Sequence, residues 1–245
     1  MSERLAELIG ENQPCVALTG AGVSTESGIP DFRSSTGMWA EFDPREYSTL
    51  GAFRRDPEKV WRFYAPRFAI LTEAGPNRAH HALAELEALG LLQAVVTQNI
   101  DLLHTRAGSG EVVEVHGSIR TSTCPACEAR YGLEQVLELL EAGAGAPRCA
   151  ACGAIVKPDV VFFDELLPPA AIDRAYELAE HAGLLLVAGS SLEVYPVAGL
   201  PDVTLGAGGK VAVANRGPTS TDARAALVLD GSAGEILAAT AALLR

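Results

Sequence analysis

Short apolar runs alternate along this chain with stretches of helical period. CVALT after Pro14, LLQAVVT, EVVEV, LLLVAG, KVAVAN and ALVLD each have buried-strand length and polar or glycine boundaries, which predicts strands. Apolar residues recur at helical spacing between them: Leu5, Leu8 and Ile9, then EKVWRFYAPRFAIL behind Pro57, with a kink expected at Pro66. Further helices are predicted over residues 77–89, stopped by Gly90, over 170–181, and from Ser232 onward. VVFF reads as one more strand of the same rhythm. Residues 30–51 are polar, aromatic and without a clean period, so they read as a long loop of the functional or disordered kind. Apolar strands alternating with helices predict an α/β fold, a Rossmann-like doubly wound, mostly parallel sheet covered on both faces.

The character changes between residues 118 and 156, where four of the five cysteines fall among glycine-alanine clusters and one amphipathic segment, 133–140. That stretch reads as a small inserted module. A composition of 48% hydrophobic and 20% charged residues suits a globular chain with a real core. The net charge of -12 argues against nucleic acid or anionic lipid as a partner, and it mildly favours basic, lysine-rich peptides. No apolar run is long enough to span a membrane, the N-terminus has no signal-peptide core, and the cysteine count is odd. A reducing compartment, hence a cytoplasmic location, is the expectation.

Cys124 and Cys127 form one C-x2-C pair, and Cys149 and Cys152 form another. Four thiolates in such knuckles suit a closed, structural zinc site, with disulfides, a redox pair or an iron–sulfur cluster as the alternatives. Cys15, inside a buried strand, reads as an inert core residue. Gly20 and Gly22 after the first strand resemble the start of a dinucleotide fingerprint, where backbone amides meet a pyrophosphate, although Thr25 stands where a third glycine would be. The tail of that segment, Pro30, Asp31, Phe32 and Arg33, is placed to cover a bound cofactor. Gln98, Asn99, Ile100 and Asp101 follow directly on a strand, and ligands of open α/β sheets bind at such strand ends. His116 also closes a strand and has a titration range suited to a general base. Gly189, Ser190 and Ser191, and then Asn215, place small polar groups at two further strand ends.

Taken in order, GAGVSTESGIPDFR, TQNID, the His116–Gly117 pair, the two C-x2-C knuckles, KPDVVFF, GSSLEVYP, Asn215 and GSAGEIL resemble the sirtuins, the NAD-dependent protein-lysine deacylases, over nearly the whole chain. The resemblance implies a large Rossmann-like domain (about 1–30, 75–117 and 157–245) and a small one (about 31–74, helical, and 118–156, a zinc ribbon) with the cleft between. It implies NAD as a consumed co-substrate, a structural zinc ion, and acylated lysine-containing proteins or peptides as partners. Gly20, Ala21, Gly22, Ser24, Asp31, Phe32, Arg33, Gln98, Asn99, Ile100, Asp101, Gly189, Ser190, Ser191, Asn215 and Ala233 would bind NAD, with Asn99 also counted, beside His116, among the catalytic residues. The acyl oxygen would attack the ribose carbon bearing nicotinamide, His116 would deprotonate a ribose hydroxyl, and water would release lysine and O-acyl-ADP-ribose.

Substrate would pair as a strand between residues 161–165 and 192–195, meeting Val161, Phe162, Phe163 and Val194. Tyr64 and Arg67, at i and i+3 of one helix, resemble the pair by which some sirtuins clamp succinyl and malonyl lysine. Thr25 and Asp31 look instead like deacetylases, so deacetylation with added desuccinylation is expected. Asp164 stands where relatives commonly have glycine, a place where a positive φ is expected. Mono-ADP-ribosyl transfer and a non-catalytic NAD sensor are the alternatives.

Overall fold

The structure, a computed structural model, describes residues 2–32, 37–143 and 145–245. Arg33, one of the expected cofactor contacts, lies outside them. The chain opens with α1 (Ser2–Glu11) and β1 (Cys15–Thr19), turns through a 3-10 helix (Ala21–Ser27), and continues as α2 (Met38–Glu41), α3 (Pro44–Tyr47), α4 (Leu50–Arg55) and α5 (Pro57–Glu73). Next come α6 (Arg78–Ala88), β2 (Ala94–Thr97), α7 (Leu103–Ala107), β3 (Val112–Glu114), β4 (Gly117–Thr123), β5 (Arg130–Gly132) and α8 (Leu133–Ala142). The remainder is β6 (Lys157–Val160), α9 (Pro169–His181), β7 (Leu184–Ala188), α10 (Leu200–Gly206), β8 (Lys210–Asn215), β9 (Leu227–Asp230) and α11 (Ala233–Leu243).

Six strands form the expected parallel sheet, in the order β3-β2-β1-β7-β8-β9. Its central strands β1, β2 and β7 are buried at every position because both faces are covered, and apolar except for the closing Thr19 and Thr97. Cys15, Ala17, Leu184 and Leu186 pack under α1, α6 and α11, while Val16, Leu18, Leu185 and Val187 pack under α9 and α10. Successive strands step outward from β1 in one direction and from β7 in the other, so the switch point of the winding lies between their carboxyl ends.

VVFF does not extend this sheet. The strand is Lys157–Val160, it pairs antiparallel with β4, and β5-β4-β6 make a separate small sheet. Residues 30–51, read as loop, hold α2, α3 and the start of α4. Short caps set the last two: Asp43 accepts from the Arg45 amide and Thr49 from the Ala52 amide. Helix α5 runs uninterrupted through Pro66. A third cluster centred on Trp61, Phe68, Ile119, Val136 and Phe162 joins α5, α8 and the small sheet.

Candidate functional site

A cleft of about 1660 Å³ opens at the switch point and runs between the main sheet and the α5 layer. The turns after β1 and β7 meet there at van der Waals distance. A Cβ on Gly22 would lie 2.8 Å from the Gly189 carbonyl, and one on Gly189, whose φ is +58°, would lie 2.3 Å from the Val23 nitrogen. The glycines read from sequence as room for a ligand are thus first required by backbone meeting backbone. Gly20, Ala21, Ile100, Asp31, Phe32 and Ala233 still line the cleft, as do Ser191 and Asn215 at the β7 and β8 ends.

The residues of the TQNID segment are fixed by an internal network. The Gly20 carbonyl can only accept, so the Asn99 amide nitrogen faces it at 3.1 Å and also donates to Ser24 Oγ at 3.0 Å. The Asn99 oxygen is thereby turned away from both. Ser24 donates to Asp101 Oδ2 at 2.6 Å, and Asp101 Oδ1 caps α7 through the Leu103 amide. Gln98 Nε2 donates to the Thr19 carbonyl and to Ser190 Oγ, which ties the β2 end to the β7 end. His116 Nδ1 lies 3.1 Å from the Gln98 carbonyl. A carbonyl can only accept, so Nδ1 carries the hydrogen and Nε2 is the basic nitrogen of the neutral ring. Gly117 holds the next turn with φ +69°, where a Cβ would fall 2.1 Å from the Asp159 carbonyl.

Sequence reasoning passed over His80, which is fully buried on α6. The Asn77 amide donates to its Nδ1 at 3.2 Å, so its Nε2–H points at Ser24 Oγ, 3.4 Å away. Burial pushes its pKa down to about 4 despite the opposing charge of Asp101, so the ring is neutral near pH 7. The signal that could have found it was the Asn77 N-cap, which sets His80 on the inward face of the first turn.

Across the cleft, Tyr64 and Arg67 both reach the lining, as their spacing predicts. The Tyr64 hydroxyl lies 3.2 Å from Ser48 Oγ, and burial raises its pKa to about 12. The Arg67 guanidinium stacks on the Phe63 ring with its carbon 3.5 Å from the centroid, donates to the Phe63 carbonyl, and touches Met38 Sδ at 3.2 Å. It makes no ion pair with any described acid, so a half-buried cation faces the cleft beside a phenol. Val161, Phe163 and Val194 line the mouth, whereas Phe162 is 2% exposed and anchors the third cluster. The amides of Val161, Phe162 and Phe163 already donate to His116 O, Glu165 Oε2 and Ser48 O. Asp164 has φ +70°, as expected for a glycine-like position.

The four sulfurs of Cys124, Cys127, Cys149 and Cys152 lie within 4.8 Å of one another. Cys124–Cys152 and Cys127–Cys149 are each 3.5 Å apart, far beyond a disulfide bond and close to the edge of about 3.8 Å expected of a zinc–thiolate tetrahedron with bonds near 2.3 Å. The Tyr131 hydroxyl donates to Cys149 Sγ at 3.2 Å, and four sulfurs at this mutual spacing are a donor set that fits zinc. Cys15 is buried and its thiol is pushed up to about 12, the inert residue expected. Among the described residues no helix is long and apolar enough to cross a membrane.

Residues 20–196 match the family model described as the Sir2 family. The chain is 44% identical over 237 residues to NAD-dependent protein deacylase 1 of Archaeoglobus fulgidus, spanning 97% of this chain and 95% of that protein. It is 45% identical over 234 residues to the NAD-dependent protein deacetylase of Caldivirga maquilingensis, spanning 96% and 90%. A solved complex of a mutant Sir2 homologue with ADP-ribose superposes with a TM-score of 0.94 at 42% identity, over 100% of this chain and 97% of that one. A Sir2 bound to acetylated peptide gives 0.88 at 40% identity, over 97% and 95%.

Proposed function

The chain belongs to the Sir2 family, and from that premise we propose how its residues divide the work of an NAD-dependent protein-lysine deacylase. The reaction consumes NAD and one water: the acyl oxygen of a modified lysine would bond to the ribose carbon as the bond to nicotinamide breaks, and water would then free the lysine and leave the acyl group on ADP-ribose. His116 takes the proton of a ribose hydroxyl at Nε2. The observation that carries this assignment is the bond from Nδ1 to the Gln98 carbonyl, which leaves Nε2 as the basic atom at the cleft wall. Asn99, with its amide nitrogen spent on Gly20 and Ser24, offers its oxygen to an amide N–H such as that of nicotinamide. Asp101 holds Ser24 and α7, and Gln98, Ser190, Ser191 and Asn215 take the hydroxyl-rich remainder of the dinucleotide. The zinc ion closes the small module and touches no reacting atom, since four thiolates leave no open position.

The large and small domains divide at about residues 31, 75, 118 and 157, and the enzyme works in the cytoplasm, in keeping with five unpaired cysteines. Deacetylation is its main reaction. The Arg67 guanidinium, half-buried beside Tyr64 and without a direct ion pair among the described residues, supports removal of succinyl and malonyl groups as a second one. With three amides of 161–163 already engaged, a substrate strand on that edge pairs through the Val161 carbonyl and the Asp164 amide, and the Asp164 carboxylate favours basic flanking residues.

Mass spectrometry of matched acetyl- and succinyl-lysine peptides, with and without NAD and with His116→Ala, tests the whole assignment. NAD-dependent acyl loss with O-acyl-ADP-ribose formed, and a silent variant, is expected. Nicotinamide release without acyl loss would favour mono-ADP-ribosyl transfer, and NAD binding with neither product would favour a sensor.

A further inference from the structure

Behind the TQNID turn lies a chain of hydrogen bonds that reaches the cleft only at its end, Asn99. Thr19 and Thr97 are register partners at the last positions of β1 and β2, and their Oγ1 atoms are 2.9 Å apart. The Asn99 backbone N–H donates to Thr97 Oγ1 at 3.1 Å. On the other side, Thr19 Oγ1 lies 3.0 Å from Nε2 of His104, a residue of α7 that is 1% exposed. Neither direction of the hydroxyl protons gives the His104 Nδ1 a partner among the described protein atoms. Burial pushes the ring's pKa down to about 3, with neighbouring His80, whose ring centroid is 4.7 Å away, pushing the same way. Asp101, on the turn that leads into α7, is the carboxylate nearest this pair in the hydrogen-bonded network, and His81, the exposed neighbour of His80 on α6, acts on it only through its charge.

For stability alone this is a poor place for an imidazole. A leucine would fill the site without burying an unmatched ring nitrogen, whose desolvation has nothing to offset it. The one bond His104 makes leads, through two hydroxyls, to the backbone of Asn99. We propose that His104 is a positioning residue: it holds Thr19 and Thr97 in the rotamers that fix the Asn99 main chain, and so aims the Asn99 amide at the cofactor. This rests on the reading that Asn99 contacts NAD.

The test is steady-state kinetics and thermal melting of the full chain bearing His104→Leu, His104→Gln, Thr19→Val, and Thr19→Val with His104→Leu. His104→Leu is expected to melt no lower than the wild type, yet to lose about tenfold in kcat/KM for NAD with KM for the peptide unchanged. Glutamine, whose amide nitrogen can reach the place of Nε2, should recover most of that loss. The double variant should be no worse than Thr19→Val, because both act along one chain. Wild-type kcat/KM for NAD in His104→Leu, or full additivity in the double variant, would overturn the proposal. If leucine prevents folding, the glutamine variant and Thr19→Val decide the matter: wild-type kcat/KM for NAD in Thr19→Val would overturn it equally. An Asn99→Ala control separates the two readings: wild-type kinetics there would remove the underlying assignment, whereas loss there with none at His104→Leu removes only this inference.

Discussion

At the ends of β1, β2 and β7 the cleft wall is a closed set of directed hydrogen bonds, in which Asn99, Ser24, Asp101, Gln98 and Ser190 each fix another. Across from it, Tyr64 and Arg67 rest on Phe42, Phe63 and Phe162, with few polar contacts: Tyr64 to Ser48, and Arg67 to Met38 and the Phe63 carbonyl. The first wall stands on a sheet buried on both faces. The second stands on α5, which is pinned to the cysteine module by the Trp61 indole donating to the Val156 carbonyl at 2.7 Å. Directed bonds select one ligand geometry, while aromatic surfaces accept a range of shapes. A fixed cofactor and variable acyl chains are what the two walls are respectively suited to hold.

The sharpest way to separate the walls is His116→Ala, which should lower deacylation by roughly a hundred-fold to ten-thousand-fold while calorimetric NAD affinity stays near wild type. A large fall in affinity would mean that His116 also shapes the dinucleotide site. Stripping zinc with a chelator strikes the other wall. Acyl-peptide turnover should fall about tenfold or more, with NAD affinity changed by less than about threefold, because the module folds with its metal and the sheet does not depend on it. Equal losses would show that the walls are one cooperative unit.

Acid addresses the first wall. His80 and His104 are held neutral, at about 4 and about 3. The unfolded chain therefore binds more protons than the fold once pH drops below about 6.5. Their contribution is fully present above that pH and is lost as pH falls toward 4, so the melting temperature should decline over that window and His104→Leu should flatten the decline. Arg67→Met should remove desuccinylation and spare deacetylation to within about twofold, the effect of losing one carboxylate clamp. Persistence of wild-type desuccinylation would assign Arg67 to packing alone. The smallest effect belongs to Asp164→Gly, which should weaken arginine-flanked peptides by about threefold and leave neutral ones unchanged, a rim charge being screened by solvent.

The strands of the main sheet were legible because burial on both faces leaves continuous Val, Leu and Ala runs, as in β1 and β7. The same signal misassigned VVFF. Pro158, tolerated only because β6 is an edge of the small sheet, was the mark against a central strand. The helices within residues 38–55 span four to six residues each, too short for a 3.6-residue period to register. Among site residues, the motif positions at strand ends were readable one by one. His80 and His104 were not, since their roles come from Ser24 and Thr19, which are distant in sequence and adjacent only once the strands pair.

The chain has two tryptophans, and one of them, Trp61, is wholly buried with its indole nitrogen held by a residue four positions past the last zinc-binding cysteine. The molecule thus contains an optical gauge of its own metal state. Emission from Trp61 should be blue-shifted while the module is closed, and should move to the red as the knuckles open and water reaches the ring, before any acyl peptide is added.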